Sequence, residues 1–239
     1  CHTYGEIKVT VTQSRAFADY VTRTFLVEKD DHQLEVQHLH FVSWPDFGVP
    51  LYPTQILTFR GQFKSCHETK TGPAVIHCSA GVGRTGVFIA VDKMLDDLDK
   101  EKKDTIDIFG FVKEMRTRRV NMVQTLEQYV FIHDTILDHI KCGVNEIEAG
   151  QIMIEIRQLS EKKKNGKTGF EEKFERLKGV SPTLAKEQCE AALLPGNRNK
   201  NRNADIYPSE SGRVYLKPLP PVENSDYINA CYVDGYLGR

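Results

Sequence analysis

The chain has 239 residues, is 40% apolar and 27% charged, and carries a net charge of −1. That is the balance of a globular protein long enough for one large domain or parts of two, and near-neutrality argues against bulk nucleic-acid binding. No apolar run is long enough to cross a membrane and no signal peptide is visible.

Six cysteines (Cys1, Cys66, Cys78, Cys142, Cys189, Cys231) show neither tight pairing nor metal-ligand spacing, and no N-x-Ser/Thr acceptor occurs. A reduced, cytosolic setting is the expectation. The eight histidines are scattered, so no metal and no cofactor is implied. Residues 162–202 are basic and 92–107 are acid-rich, and both stretches read as solvated faces.

In chain order, 6–12, 20–28 and 34–43 are β-branched and alternating, which predicts three strands. Trp44-Pro45-Asp46-Phe47-Gly48-Val49-Pro50 breaks the third with two prolines and a glycine. Residues 53–66 read as a helix with proline near its start, and 73–77 as a short buried strand. A helix over 85–98 places Val87, Val91, Met94, Leu95 and Leu98 at core spacing. Residues 107–116 put Ile108, Phe111, Val112 and Met115 on one face, and 125–140 repeat the pattern with Leu126, Tyr129, Val130, His133, Leu137 and Ile140. Beyond 140 the composition shifts. Helices are expected at 152–159 and from Phe170 through Leu177, a polar hinge at 162–167, a coil near 194–202, and strands at 213–216 and 227–233. Strands followed by helices predict an α/β layered fold with a mixed, twisted sheet flanked by helices.

The chemistry concentrates in His77-Cys78-Ser79-Ala80-Gly81-Val82-Gly83-Arg84-Thr85-Gly86. Small residues let backbone N–H groups curl around one anion at a helix N-terminus. Arg84 offers a planar fork for two phosphate oxygens. The same field holds Cys78 as the reactive thiolate. The product is a phosphate cradle, with Ser79, Ala80, Gly81, Val82 and Gly83 supplying the loop and a nucleophile at its floor.

This stretch resembles the signature loop of the protein tyrosine phosphatases. Trp44-Pro45-Asp46 resembles their mobile acid loop, and Gln124-Thr125-Leu126-Glu127-Gln128-Tyr129 their glutamine loop, in family order. The run from Arg119 to Leu137 is most similar to the receptor-type, two-domain members. The resemblance implies hydrolysis of phosphotyrosine on proteins through a cysteinyl-phosphate. Cys78 would attack phosphorus, and Arg84 and the loop amides would hold the phosphoryl oxygens. Asp46 would protonate the leaving oxygen, and Gln124, assisted by Gln128, would position the attacking water. His77 would orient the loop, and the hydroxyls of Thr85 and Ser79 would ease the departure of sulfur. The rival reading is a phosphatase-like module that binds phosphotyrosine or a partner without turnover, but such a module would be expected to lose Asp46, Cys78 or Arg84. Arg116, Arg118 and Arg119 end a helix, where cations suit the dipole, with bracing of the phosphate loop as the second choice.

The order of the remainder departs from the family. Phe170-Glu171-Glu172-Lys173-Phe174, Lys200-Asn201-Arg202 and Asp226-Tyr227-Ile228-Asn229-Ala230 resemble the beginning of a phosphatase domain, yet follow the end of one. Both ends read as cut. A window on a tandem receptor phosphatase and a permuted, trimmed single domain both fit, and the former needs no rearrangement. It divides the chain into the back of a first domain (1–140), a helix-bearing linker (141–167) and the front of a second domain (168–239). Asn203 stands where active domains of this family carry a tyrosine, so the second domain reads as non-catalytic. The parent protein would be anchored by a membrane segment outside this chain, act on the cytosolic side, and hold its second domain as an intramolecular partner.

Overall fold

The structure, a computed structural model, describes residues 1–68, 72–99, 101, 104–143, 145, 147–181, 185–233 and 235. The stretch 236–239, read from sequence as part of a cut end, lies outside the described residues. The chain divides into two compact units, Cys1–Val180 and Ser181–Arg239.

The first unit opens with an antiparallel meander of β1 (His2–Tyr4), β2 (Ile7–Ala16), β3 (Tyr20–Lys29) and β4 (His32–Phe41), in that spatial order. Register runs from Tyr20↔Phe41 to Lys29↔His32 across β3 and β4. Four helices follow: α1 (Thr54–Glu68), α2 (Gly83–Asp99), α3 (Ile108–Arg118) and α4 (Leu126–Cys142). The core forms around α2, whose Val87, Val91 and Leu95 are wholly buried against Ile56 of α1, Val112 and Met115 of α3, and Phe131, Ile132 and Ile136 of α4. Side chains cap two of these helices. Asp107 Oδ1 accepts from Gly110 N (2.7 Å) at α3, and Thr125 Oγ1 accepts from Gln128 N (3.2 Å) at α4.

Four expectations are corrected. Residues 73–77 are not a buried strand. They form no ladder among the described residues, and Val75 is 85% exposed. Apolar composition alone makes no strand, because extended backbone becomes sheet only when a neighbour takes its N–H and C=O groups. The α/β class holds, but both sheets described are antiparallel rather than mixed. On α4 the buried face is Gln128, Phe131, Ile132, Thr135 and Ile136. Leu126, Val130, Leu137 and Ile140, expected inside, are 47–73% exposed. This helix is apolar on two faces, and periodicity does not say which one α2 covers. The acid-rich stretch is only partly a solvated face. Asp92 and Asp96 pair with Arg60 (2.8 and 2.6 Å) and Lys64 (2.8 and 2.7 Å), binding α1 to α2.

Beyond α4, α5 (Ile152–Ser160) and α6 (Gly169–Val180) appear where the sequence predicts them. Gly169 sits against Leu159, where a Cβ would stand 2.7 Å from Leu159 Cδ2. α6 contacts both α4 and α5, so by packing it goes with the residues before it.

In the second unit, short 3-10 turns and α7 (Glu190–Leu193) precede a two-stranded antiparallel sheet of β5 (Arg213–Tyr215) and β6 (Tyr227–Cys231). The residues at 195–200, expected as coil, form a 3-10 helix. Cys189, Ala192, Asn197 and Tyr227 are buried, and Arg213 pairs with Glu210 (2.9 Å) and Asp226 (3.2 Å). Asn203 Oδ1 accepts from Asp205 N (2.9 Å), a local turn contact.

Candidate active site

Cys78 closes the extended run 73–77, and residues 79–82 curl back before α2 begins at Gly83. Gly81 makes the curl with φ of 68°, a conformation that favours glycine. Its N–H donates to Cys78 Sγ at 3.2 Å. Partial burial raises the thiol pKa. The hydroxyl and N–H of Thr85 and the N–H groups of Gly81 and Val82 more than offset it, bringing the pKa from 9.0 to about 7. Thr85 Oγ1 is buried and makes no hydrogen bond of good geometry, so its action on the sulfur is one of proximity. Among the groups that lower the thiol is one predicted hydroxyl, that of Thr85. Ser79 is exposed at the rim. His77 is exposed as well, and its Nδ1 lies 3.2 Å from the Cys78 carbonyl oxygen, a contact to the backbone of the nucleophile. The pKa of His38, on β4, is lowered by burial and then by the charges of Arg23, His40 and His77.

The acid loop reaches this centre through Arg84. Arg84 Nη2 donates to the Pro45 carbonyl (3.1 Å), and the guanidinium lies 5.8 Å from the centre of the Trp44 ring. Asp46, the next residue, is exposed. Trp44 roots the loop in the core edge-on to Phe131 (5.8 Å), and its Nε1 donates to Gly48 O (3.0 Å). The glutamines arrive from the start of α4. Gln128 is buried, and its Oε1 accepts from Gln124 N at 2.9 Å. Both amides lie over Gly83, where a Cβ would come within 3.0 Å of Gln128 Nε2 and 3.3 Å of Gln124 Oε1. The structure therefore gathers Cys78, Arg84, Thr85, Gln124 and Gln128 around one helix start, with exposed Asp46 one residue beyond the Pro45 carbonyl that Arg84 holds. Gln128 spends its carbonyl oxygen holding the backbone of Gln124.

The arginines at the end of α3 do more than meet a helix dipole. Arg119 Nη2 donates to Ala80 O (2.9 Å), with its guanidinium laid against Gly81. Arg116 donates to Met122 O (2.9 Å) and Val123 O (2.7 Å). These bonds hold a strained turn, since Asn121 and Val123 have φ of 62° and 59°, costly for a β-branched residue. Val123 N donates to Val82 O (3.0 Å), and Gly86 fits so closely that a Cβ would stand 2.6 Å from Val123 N. Bracing, the second choice from sequence, is thus what Arg119 does. The signal that could have found it is the tight Arg-rich run before Gln124.

A cavity of about 490 Å³ opens beside the nucleophile, with Ile76, Cys78, Thr85, Ile89, Met115 and Met122 in its wall. Asp46, Arg84 and Gln124 do not line it, so it lies on the α3 side of the phosphate loop, not on the acid-loop side. Among the described residues no cluster of His, Cys, Asp or Glu could hold a metal ion, and no helix is long and apolar enough to cross a membrane.

A thiol poised near neutrality under converging N–H groups thus sits at the start of the helix whose Arg84 holds the 44–50 loop. The sequence profile described as protein-tyrosine phosphatase matches residues 1–138 and 197–239, and the chain belongs to that family. It is similar to receptor-type tyrosine-protein phosphatase S of Gallus gallus, 44% identical over 237 residues, which cover 98% of this chain and 15% of the relative. It is likewise similar to tyrosine-protein phosphatase Lar of Drosophila melanogaster (42% over 241 residues; 99% and 12%) and to the Lar-like phosphatase of Caenorhabditis elegans (40% over 239; 99% and 11%). The chain thus spans between 11% and 15% of the length of these relatives.

Proposed function

We propose that the protein hydrolyses phosphotyrosine on proteins through a cysteinyl-phosphate. The observation that carries the reading is the Cys78 thiol, brought to about pKa 7 at the floor of a loop whose N–H groups converge on it. In the first step the Cys78 thiolate attacks phosphorus in line and the P–O bond to tyrosine breaks. Asp46 gives its proton to the departing oxygen. The loop amides and Arg84 hold the three equatorial oxygens, where charge spreads in a loose transition state. For the second step Arg84 and the backbone keep the phosphoryl group in place while Gln124 orients a water. Asp46 takes the water's proton, the P–S bond breaks, and the thiolate and inorganic phosphate are released. The test is rapid quench with a phosphorylated tyrosyl peptide followed by mass spectrometry. A phosphate adduct on Cys78, absent in Cys78→Ser, supports the reading. Turnover surviving that substitution refutes it.

We also propose the tandem organisation, with 1–140, 141–167 and 168–239 as back, linker and front. The support is that single alignments covering 98–99% of the chain keep its residue order in the relatives. On this reading the parent protein is membrane-anchored by a segment outside this chain, works on the cytosolic side, and carries its second domain as an intramolecular partner.

A further inference from the structure

The acid loop begins and ends on the same oxygen atom. Asp19 sits in the turn between β2 and β3. Its Oδ1 accepts from Ser43 Oγ at 2.7 Å and from Gln55 Nε2 at 2.7 Å, and its main-chain carbonyl accepts from Val42 N at 2.8 Å. Ser43 immediately precedes Trp44, and Gln55 is the second residue of α1. All three residues are half-buried. One carboxylate therefore ties the end of β4 to the start of α1 and spans the whole segment 44–53 that carries Asp46.

We propose that Asp19 is the positioning residue of the acid loop, a clamp that holds both hinges of the loop at one separation. The physical argument has two parts. Hydrogen bonds to an ionised carboxylate are roughly twice as strong as neutral ones, so a single group can hold two strands of chain together. Pinning both ends also leaves the middle fewer conformations, so Asp46 spends more of its time where its proton is needed. Inside the clamp the Trp44 ring meets Phe41 and Phe131, Trp44 Nε1 donates to Gly48 O, Arg84 donates to Pro45 O, and Val49 packs against the core, while Asp46 itself is exposed. Asp19 touches no substrate. It acts on Asp46 through Ser43 and Gln55. The catalytic part of the inference rests on the reading of Asp46 as the acid, while the mechanical part does not.

The loop carries its own reporter, because Trp44 is the chain's single tryptophan. The test is acrylamide quenching of Trp44 fluorescence in the full chain, with far-UV circular dichroism to confirm folding. Asp19→Ala is expected to raise the quenching constant about twofold, since two charge-assisted bonds are lost. Asp19→Asn keeps an Oδ1 acceptor facing both donors and is expected to restore a value near wild type. The pair Ser43→Ala and Gln55→Ala, combined in one variant, is expected to match Asp19→Ala, and it carries the test if Asp19→Ala fails to fold. Unchanged quenching in a folded Asp19→Ala or in the double variant overturns the clamp. The catalytic arm compares phenyl phosphate with p-nitrophenyl phosphate, whose leaving group scarcely needs a proton. Asp19→Ala is expected to lower kcat about tenfold on the phenyl ester, with KM kept and little change on the nitrophenyl ester. Equal losses on both esters overturn positioning of the acid. Raised quenching in a chain that turns over neither ester, wild type included, upholds the clamp and fails the proposed function instead.

Discussion

Cys78 should exchange with a neutral disulfide such as dithiodipyridine at a pH where an ordinary thiol is almost inert. Burial works against the thiolate, but Thr85, Gly81 and Val82 outweigh it and leave the pKa at about 7 instead of 9.0. Near pH 6 the thiolate fraction is then about 9%, against about 0.1% for the unperturbed group, a gain of roughly 90-fold. The weaker base is also the weaker nucleophile, and a Brønsted slope of about 0.4–0.5 over those two units takes back about 6–10-fold. The net expectation is a rate about tenfold above a free thiol near pH 6, inverting to a rate several-fold below it near pH 10. The assay follows thiopyridone release across that range and maps the labelled cysteine by mass spectrometry. Thr85→Val should move the midpoint up, because it removes the hydroxyl that leads the groups lowering the thiol. Cys142 and Cys189 serve as internal controls, because burial pushes both thiols up, with Asp138 adding to it for Cys142 and Glu210 for Cys189. A midpoint near 9, or labelling of Cys142 or Cys189 ahead of Cys78, would refute the argument that the loop's dipoles set the reactivity.

Asp46→Ala should lower kcat on an aryl phosphate by about 10²–10⁴-fold while KM holds, because a general acid acts in the transition state; steady-state kinetics that move only KM would make Asp46 a binding residue. Gln124→Ala should slow the second step more than the first, so stopped-flow should show a burst of phenol followed by a slow phase, and a uniform loss without a burst would count against its role. Gly86→Ala drives a methyl to 2.6 Å from the Val123 nitrogen, and its cost should be about 1–3 kcal/mol of stability, the range for overpacking. Denaturant unfolding that shows no loss would mean that the turn at 121–124 yields more easily than its strain and its Arg116 bonds imply.

Local patterns were legible wherever the cause is local. The β-branched alternation of 20–28 became β3, the apolar spacing from Val87 to Leu95 became the buried stripe of α2, and Pro53 stands immediately before α1. The signature loop was legible for the same reason. Its curl needs glycine at Gly81, and its charge logic needs only residues a few positions apart. The misreadings share the opposite cause. The run 73–77 has strand composition but no ladder partner among the described residues, and α4 offers two apolar faces of which neighbours cover one.

What the sequence by itself determined was the family and its candidate residues: a cysteine, an arginine, an aspartate and two glutamines in the family's order. Tertiary structure alone decided how they are held. Arg119 bracing Ala80 and Asp19 tying Ser43 to Gln55 join residues between 24 and 39 positions apart, on contacts no periodicity encodes. The physical reason is that a nucleophile is specified by its own functional group and its near neighbours. A positioning contact exists only once packing has carried two distant segments within the roughly 3 Å of a hydrogen bond.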